Sequence, residues 1–118
     1  MLYPLLPARL HGWLDELASV SYLAAAFVFG FSGIGFAVLM AACLVHFTNT
    51  RLTDYPRGHL KKYPLRVHAA IELGEGALVF ASAFVVAALT GVQVTVLCVL
   101  GGAQVGAGLL ADVRMPRR

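Results

Sequence analysis

The chain has 118 residues, 59% of them hydrophobic and 13% charged, with a formal net charge of +3. A soluble domain carries about 25% charged residues, so this composition, with a mean hydropathy of +0.79, excludes a soluble globular domain and a disordered chain. The basic residues stand between long apolar runs and form no helix stripe, which argues against a nucleic-acid binder. The length suits one membrane domain, residues 1–118.

Residues 17–50 and 76–111 contain no Asp, Glu, Lys or Arg. A membrane helix needs about 20 residues, so each run, with a few flanking residues, accommodates two spans. Glycine supplies the breaks, at Gly30-Phe31-Ser32-Gly33 and at Leu89-Thr90-Gly91. In chain order this predicts a helix over about 9–29, a tight turn, a helix over about 34–52, a loop over 53–65 rich in Pro, Gly and Lys/Arg, and helices over about 66–89 and 92–112. The predicted fold class is all-α, a polytopic membrane protein with four transmembrane helices. The first apolar stretch already holds Arg9, His11, Asp15 and Glu16, so no cleavable signal peptide is expected. Cys43 and Cys98 lie in apolar runs without CxxC spacing and read as small hydrophobes in packed helices.

All nine Lys/Arg (Arg9, Arg51, Arg57, Lys61, Lys62, Arg66, Arg114, Arg117, Arg118) fall on the N-terminus, the central loop or the C-terminus. With four spans these segments share one face, and the positive-inside rule makes it cytoplasmic in a bacterial inner membrane. Trp13, Tyr55 and Tyr63 read as interfacial anchors, and Arg57 with Lys61 and Lys62 as a lipid-headgroup contact.

The chain repeats itself. At an offset of 57, Pro7, Arg9 and His11 meet Pro64, Arg66 and His68, and Asp15 meets Glu72. Past the turn the offset becomes 58, so Gly33 meets Gly91, His46 meets Gln104, and Leu52-Thr53-Asp54 meets Leu110-Ala111-Asp112. Two parallel helical-hairpin repeats, about 7–55 and 64–113, are therefore expected, related by a pseudo-two-fold axis along the membrane normal.

Ala24-Ala25-Ala26-Phe27-Val28-Phe29-Gly30-Phe31, its second copy Ala81-Ser82-Ala83-Phe84-Val85-Val86, and Leu52-Thr53-Asp54-Tyr55 carry a family resemblance. The chain resembles the bacterial SPW-repeat integral membrane proteins over nearly its whole length, as a divergent member. Ala26 and Ala83 stand where that family has Pro, and Phe27 and Phe84 where it has Trp. The resemblance implies the membrane architecture and brings no catalytic residue with it.

Counting residues from the turns places Asp15 about 6 Å, Glu72 about 4 Å, Glu75 about 8 Å, and His46 and Gln104 about 10 Å inside the cytoplasmic edge of the hydrocarbon. Asp15, His46, Glu72, Glu75 and Gln104 thus form a candidate cluster for a proton, ion or ligand. His11 with Asp15, and His68 with Glu72, share helix faces at i,i+4 spacing. A structural reading makes Arg9, His11, Asp54, Arg66, His68 and Asp112 a clamp, with Arg–Asp and His–carboxylate pairs tying the hairpins together. A functional reading takes the same His/carboxylate set as a proton, cation or metal site. The E-x2-H spacing of di-iron bundles and the HExxH motif are absent. Glu75 has no acidic counterpart, since Ala18 stands at the equivalent position. It could be neutral, face His46, or snorkel to the surface. His46, with Ala42 one turn earlier, could also ligate a haem or pigment.

Gly102 and Gly106 make a small-xxx-small face for helix packing, within the chain or in a homo-oligomer or larger complex. No nucleophile elbow, P-loop or dinucleotide fingerprint occurs. The expected function is non-enzymatic: a structural or accessory membrane subunit acting by association. The alternatives are a small proton- or ion-linked transporter component and a haem-, pigment- or metal-binding subunit. No cofactor is predicted beyond a haem or divalent metal under the last alternative, and the partners are the lipid bilayer and other membrane chains.

Overall fold

The computed structural model describes residues 6–114 and is all-helical, four helices making up 75% of it. They are α1 (Ala8–Val28), α2 (Gly33–Leu52), α3 (Leu65–Val85) and α4 (Gly91–Leu110). Two-residue strands β1 (Thr53–Asp54) and β2 (Tyr63–Pro64) flank the central loop and pair in parallel. Pro7 and Pro64 sit at the N-caps of α1 and α3 with φ of −59° and −72°. Their rings preset the chain for the helix that follows. Thr90 caps α4 through a reciprocal box with Gln93. Between α1 and α2 the chain turns at Gly30, φ +64°, a left-handed conformation that glycine adopts without a Cβ clash. α3 stops at Val85, short of the expected 89, because the chain reverses through Ala88 at φ +62° and Thr90 already begins α4.

At about 1.5 Å per residue each helix is about 30 Å long, the thickness of a hydrocarbon core. α2, α3 and α4, with mean hydropathies of 1.5, 1.3 and 1.6, are long and apolar enough to cross a membrane. α1 matches them in length but carries Arg9, Asp15 and Glu16.

α1 packs on α2, α3 on α4, and α2 on α3, with sparser contact between α1 and α4. The α3–α4 approach depends on Gly76 and Gly101. A Cβ at Gly101 would lie 2.5 Å from the Phe80 amide nitrogen and 2.7 Å from the Gly76 carbonyl oxygen. At Gly108 a Cβ would lie 2.9 Å from the Leu73 side chain and 3.0 Å from the Ala69 carbonyl oxygen. Gly102 and Gly106, the glycines expected to pack, have nothing within 4 Å of a built Cβ. Each helical residue turns the chain by about 100°, so Gly102 points away from the partner that Gly101 faces.

The two ends of the molecule differ. At one, Gln93 Nε2 joins the two tight turns, donating to Phe29 O at 3.0 Å and to Gly30 O at 3.2 Å. At the other, β1–β2 ties the end of α2 to the start of α3, and a parallel bridge between Leu6 and Ala111 ties the start of α1 to the end of α4. Arg9, Arg51, Arg57, Lys61, Lys62, Arg66 and Arg114 sit at this second end; Arg117 and Arg118 lie outside the described residues. The loop folds back tightly, and a Cβ on Gly58 would overlap the Thr53 carbonyl.

The Arg–Asp part of the expected clamp does not form. Among the described residues, no ion pair joins Arg9 or Arg66 to Asp54 or Asp112. Asp54 pairs with Lys61 at 3.4 Å and Asp112 with Arg114 at 3.1 Å. The reason is rotational: Arg9 and Arg66 precede the buried His11 and His68 by two residues, about 200° around the helix, and therefore face outward. Asp54 follows the buried Thr53 in extended backbone and takes the opposite side. Asp112 is held below the usual carboxylate range by hydrogen bonds from Arg114.

The interior has two parts. Tyr22, Ala26, Leu39, Val79, Ala83 and Leu97 form an apolar core towards the tight turns. Towards the charged end the interior is polar. Leu17, Val20, Leu23 and Phe27 of α1, Leu44 and Phe47 of α2, Leu78 and Phe84 of α3, and Val92 and Val99 of α4 are exposed.

Candidate cation centre

The polar core takes side chains from all four helices. The i,i+4 spacing on α1 brings His11 Nε2 to 3.5 Å from Asp15 Oδ1. On α3 the same spacing leaves His68 Nε2 3.8 Å from Glu72 Oε2. Closer contacts cross between the hairpins: His11 Nε2 lies 2.9 Å from Glu72 Oε2, and His68 Nε2 lies 3.3 Å from Asp15 Oδ2. From α2, His46 Nε2 reaches Asp15 Oδ1 at 3.4 Å. At the equivalent place on α4, Gln104 Nε2 donates to Glu72 Oε1 at 2.7 Å. Exposure is 0% for His11, His46 and His68, 1% for Asp15 and Glu72, 4% for Gln104 and 8% for Glu75.

The structure puts Glu75 Oε2 3.1 Å from His46 Nδ1, so Glu75 turns inward instead of snorkelling. Gln104 Nε2 is 2.9 Å from the same ring nitrogen. Tyr22 packs edge-on against the fully buried His46 ring, with centroids 6.2 Å apart. His11 and His68, expected in the clamp, belong with the cluster, and all the expected cluster residues meet here.

Residues beyond the expected set complete the core. Tyr55 is not an interfacial anchor: it is 1% exposed, and its hydroxyl donates to Asp15 Oδ2. Burial and the Asp15 carboxylate push the Tyr55 phenol well above its usual range, which keeps it a donor. Thr53 Oγ donates to Asn49 O at 2.6 Å and lies 2.7 Å from His68 Nδ1. Asn49 Nδ2 donates to His68 O at 3.2 Å. Tyr63 is partly buried and donates to Asn49 Oδ1. Trp13, by contrast, is 57% exposed, with the Arg57 guanidinium over its ring at 4.0 Å. Tyr55 and Thr53 lie in the Leu52-Thr53-Asp54-Tyr55 motif, which was the available sequence signal for them.

Thr53 settles the His68 tautomer. A hydroxyl has one proton to donate, and Thr53 gives it to Asn49 O. Thr53 Oγ therefore accepts from His68 Nδ1–H. In a neutral ring Nε2 is then a lone pair, and it faces the carboxylates of Asp15 and Glu72. Lone pairs directed at carboxylates repel unless a positive charge lies between them. The whole core has the same imbalance, since three carboxylates meet three imidazoles with almost no access to solvent. His11 Nε2, His46 Nε2, His68 Nε2 and Glu72 Oε2 have no aligned hydrogen-bond partner. This arrangement can hold positive charge, as protons on the rings or as a metal ion.

Two lateral grooves reach the core. One, about 460 Å³, lies between α2 and α3 and is lined by Ala42, Val45, Ile71, Glu75 and Val79. The other, about 210 Å³, lies between α1 and α4 and is lined by Leu14, Ala18, Tyr22, Leu100 and Gln104. A helical protein with three apolar helices of spanning length and a charged interior is the class this geometry defines. No family model matches the chain, and comparisons with curated proteins and with solved structures likewise find no match.

Proposed function

We propose that this chain is a four-span, non-enzymatic integral membrane protein, a divergent relative of the SPW-repeat proteins, working as a small cation-linked membrane component. The polar core is its binding place. The observation that carries this reading is that His68, its Nδ1 engaged by Thr53, turns Nε2 towards the carboxylates of Asp15 and Glu72. Intramembrane ionisable groups are costly and persist where they carry function.

A fourth span at α1 is supported by its length and by the burial of Asp15, which leaves Leu17, Val20, Leu23 and Phe27 outward. Parallel repeats are supported by the reciprocal contacts. His11 meets Glu72 while His68 meets Asp15. The bridge from the end of α2 to the start of α3 also has its counterpart between the end of α4 and the start of α1. The basic residues at the bridged end support a bacterial inner membrane with that end cytoplasmic.

Unfolding of the detergent-purified protein, followed while cations including the proton are varied one at a time, tests the cation reading. The midpoint of the wild type should shift with at least one cation, and Asp15→Asn should abolish the shift. A wild type indifferent to every cation overturns the reading. A second reading, association in the membrane through α4, is favoured by the outward position of Gly102 and Gly106.

A further inference from the structure

We propose that the polar core binds one divalent transition-metal ion, held by His11 Nε2 and Asp15 of α1 and by His68 Nε2 and Glu72 of α3. This rests on the cation reading above and deepens it by naming the ion class and the ligands.

The distances match a coordination shell. One ligand atom from each of the four residues can be chosen so that all lie within 4.8 Å of one another. Glu72 Oε2 lies 2.9 Å from His11 Nε2 and 3.8 Å from His68 Nε2, and Asp15 approaches the same two nitrogens at 3.5 Å through Oδ1 and at 3.3 Å through Oδ2. Four ligands at 2.0–2.1 Å in a tetrahedron are about 3.3 Å from each other. His11 Nε2 and Glu72 Oε2, at 2.9 Å, are close enough for a hydrogen bond yet are not aligned for one. Two atoms that approach without pointing at each other are placed to share a third.

The donor set selects the ion. Two imidazoles with two carboxylates suit a borderline ion of the Zn2+, Co2+ or Fe2+ kind, whereas Mg2+ and Ca2+ prefer oxygen alone. The charges also close. A dication balances Asp15 and Glu72, and the remaining carboxylate, Glu75, faces the His46 ring at 3.1 Å.

Outer contacts hold three of the four ligands. Thr53 accepts from His68 Nδ1 and leaves Nε2 free to coordinate, Tyr55 holds Asp15 Oδ2, and Gln104 holds Glu72 Oε1. Such partners orient ligands and keep the imidazole in the coordinating tautomer. Each hairpin supplies one histidine and one carboxylate, so the site exists only when the hairpins are docked. Metal binding is then coupled to folding.

The experiment uses the full chain, purified in detergent with a tag that contains no histidine and stripped with a chelator. Titration with Co2+ and Zn2+ should give one equivalent bound per chain, a visible Co2+ spectrum of tetrahedral intensity and a raised unfolding midpoint. His68→Gln and Asp15→Asn should lose the equivalent and the spectrum, while Arg66→Met keeps both. Thr53→Val leaves every ligand in place and should weaken binding about 10- to 100-fold, which keeps the test decisive if the ligand variants do not fold. Absence of stoichiometric binding, or binding unchanged in His68→Gln, Asp15→Asn and Thr53→Val alike, overturns the metal site. Failure with Co2+ and Zn2+ in a protein whose stability still responds to protons or alkali ions removes the metal and leaves the cation reading standing. Indifference to all of them removes both.

Discussion

Thr53 and Arg66 show how little a residue's charge says about its importance here. Thr53 is uncharged and fully buried, and its hydroxyl orients His68. Replacing it with Val strands a buried N–H and should cost about 1–3 kcal/mol. Arg66 is charged, faces outward and forms no pair with Asp54 or Asp112. Arg66→Met should therefore stay within about 0.5 kcal/mol of the wild type, although a clamp role would have made the same change severe. Reversible unfolding of both variants in the same detergent checks the contrast. An Arg66→Met loss equal to that of Thr53→Val would reinstate the arginine clamp.

At the scale of elements, the helices are joined by glycine where backbones touch and by polar side chains where they do not. Gly101 and Gly102 are adjacent in sequence but differ in role, because one meets the Phe80 and Gly76 backbones and the other meets nothing within 4 Å. Gly101→Leu forces α3 and α4 apart and should cost about 3 kcal/mol, since backbone atoms cannot give way as a flexible side chain can. Gly102→Leu should leave the monomer's stability unchanged. If α4 is an association face, the same substitution should shift cross-linked oligomers to monomers. Destabilisation by Gly102→Leu equal to that by Gly101→Leu would mean that the outward assignment of Gly102 is wrong.

For the whole molecule, the two ends make a topological prediction. The tight turns are free of Lys and Arg, while the bridged end carries the basic residues of the described chain. In spheroplasts, an impermeant thiol reagent should label Ser32→Cys from outside in a Cys43→Ala, Cys98→Ala background. It should reach Leu60→Cys only after lysis. Position 60 suits a label because Leu60 is 59% exposed, whereas Gly58 has no room for a Cβ beside the Thr53 carbonyl. Labelling of both positions from the same side would contradict the single crossing that α2 makes between the tight turn and the central loop.

The sequence by itself determines four helices, their glycine breaks and the side of the molecule that carries the charge, because hydropathy runs, turn residues and charge counts are local properties. It also determines that His11 shares a face with Asp15, and His68 with Glu72, since i,i+4 neighbours meet on any helix. Only the tertiary structure decided that each histidine lies nearer the other hairpin's carboxylate, that Tyr55 and Thr53 enter the core, and that Arg9 and Arg66 stay out of it. Those outcomes depend on the rotation of each helix about its axis and on the register between helices. Rotation and register follow from which glycines let backbones touch and which polar atoms find partners, and neither is a property of any one segment read alone.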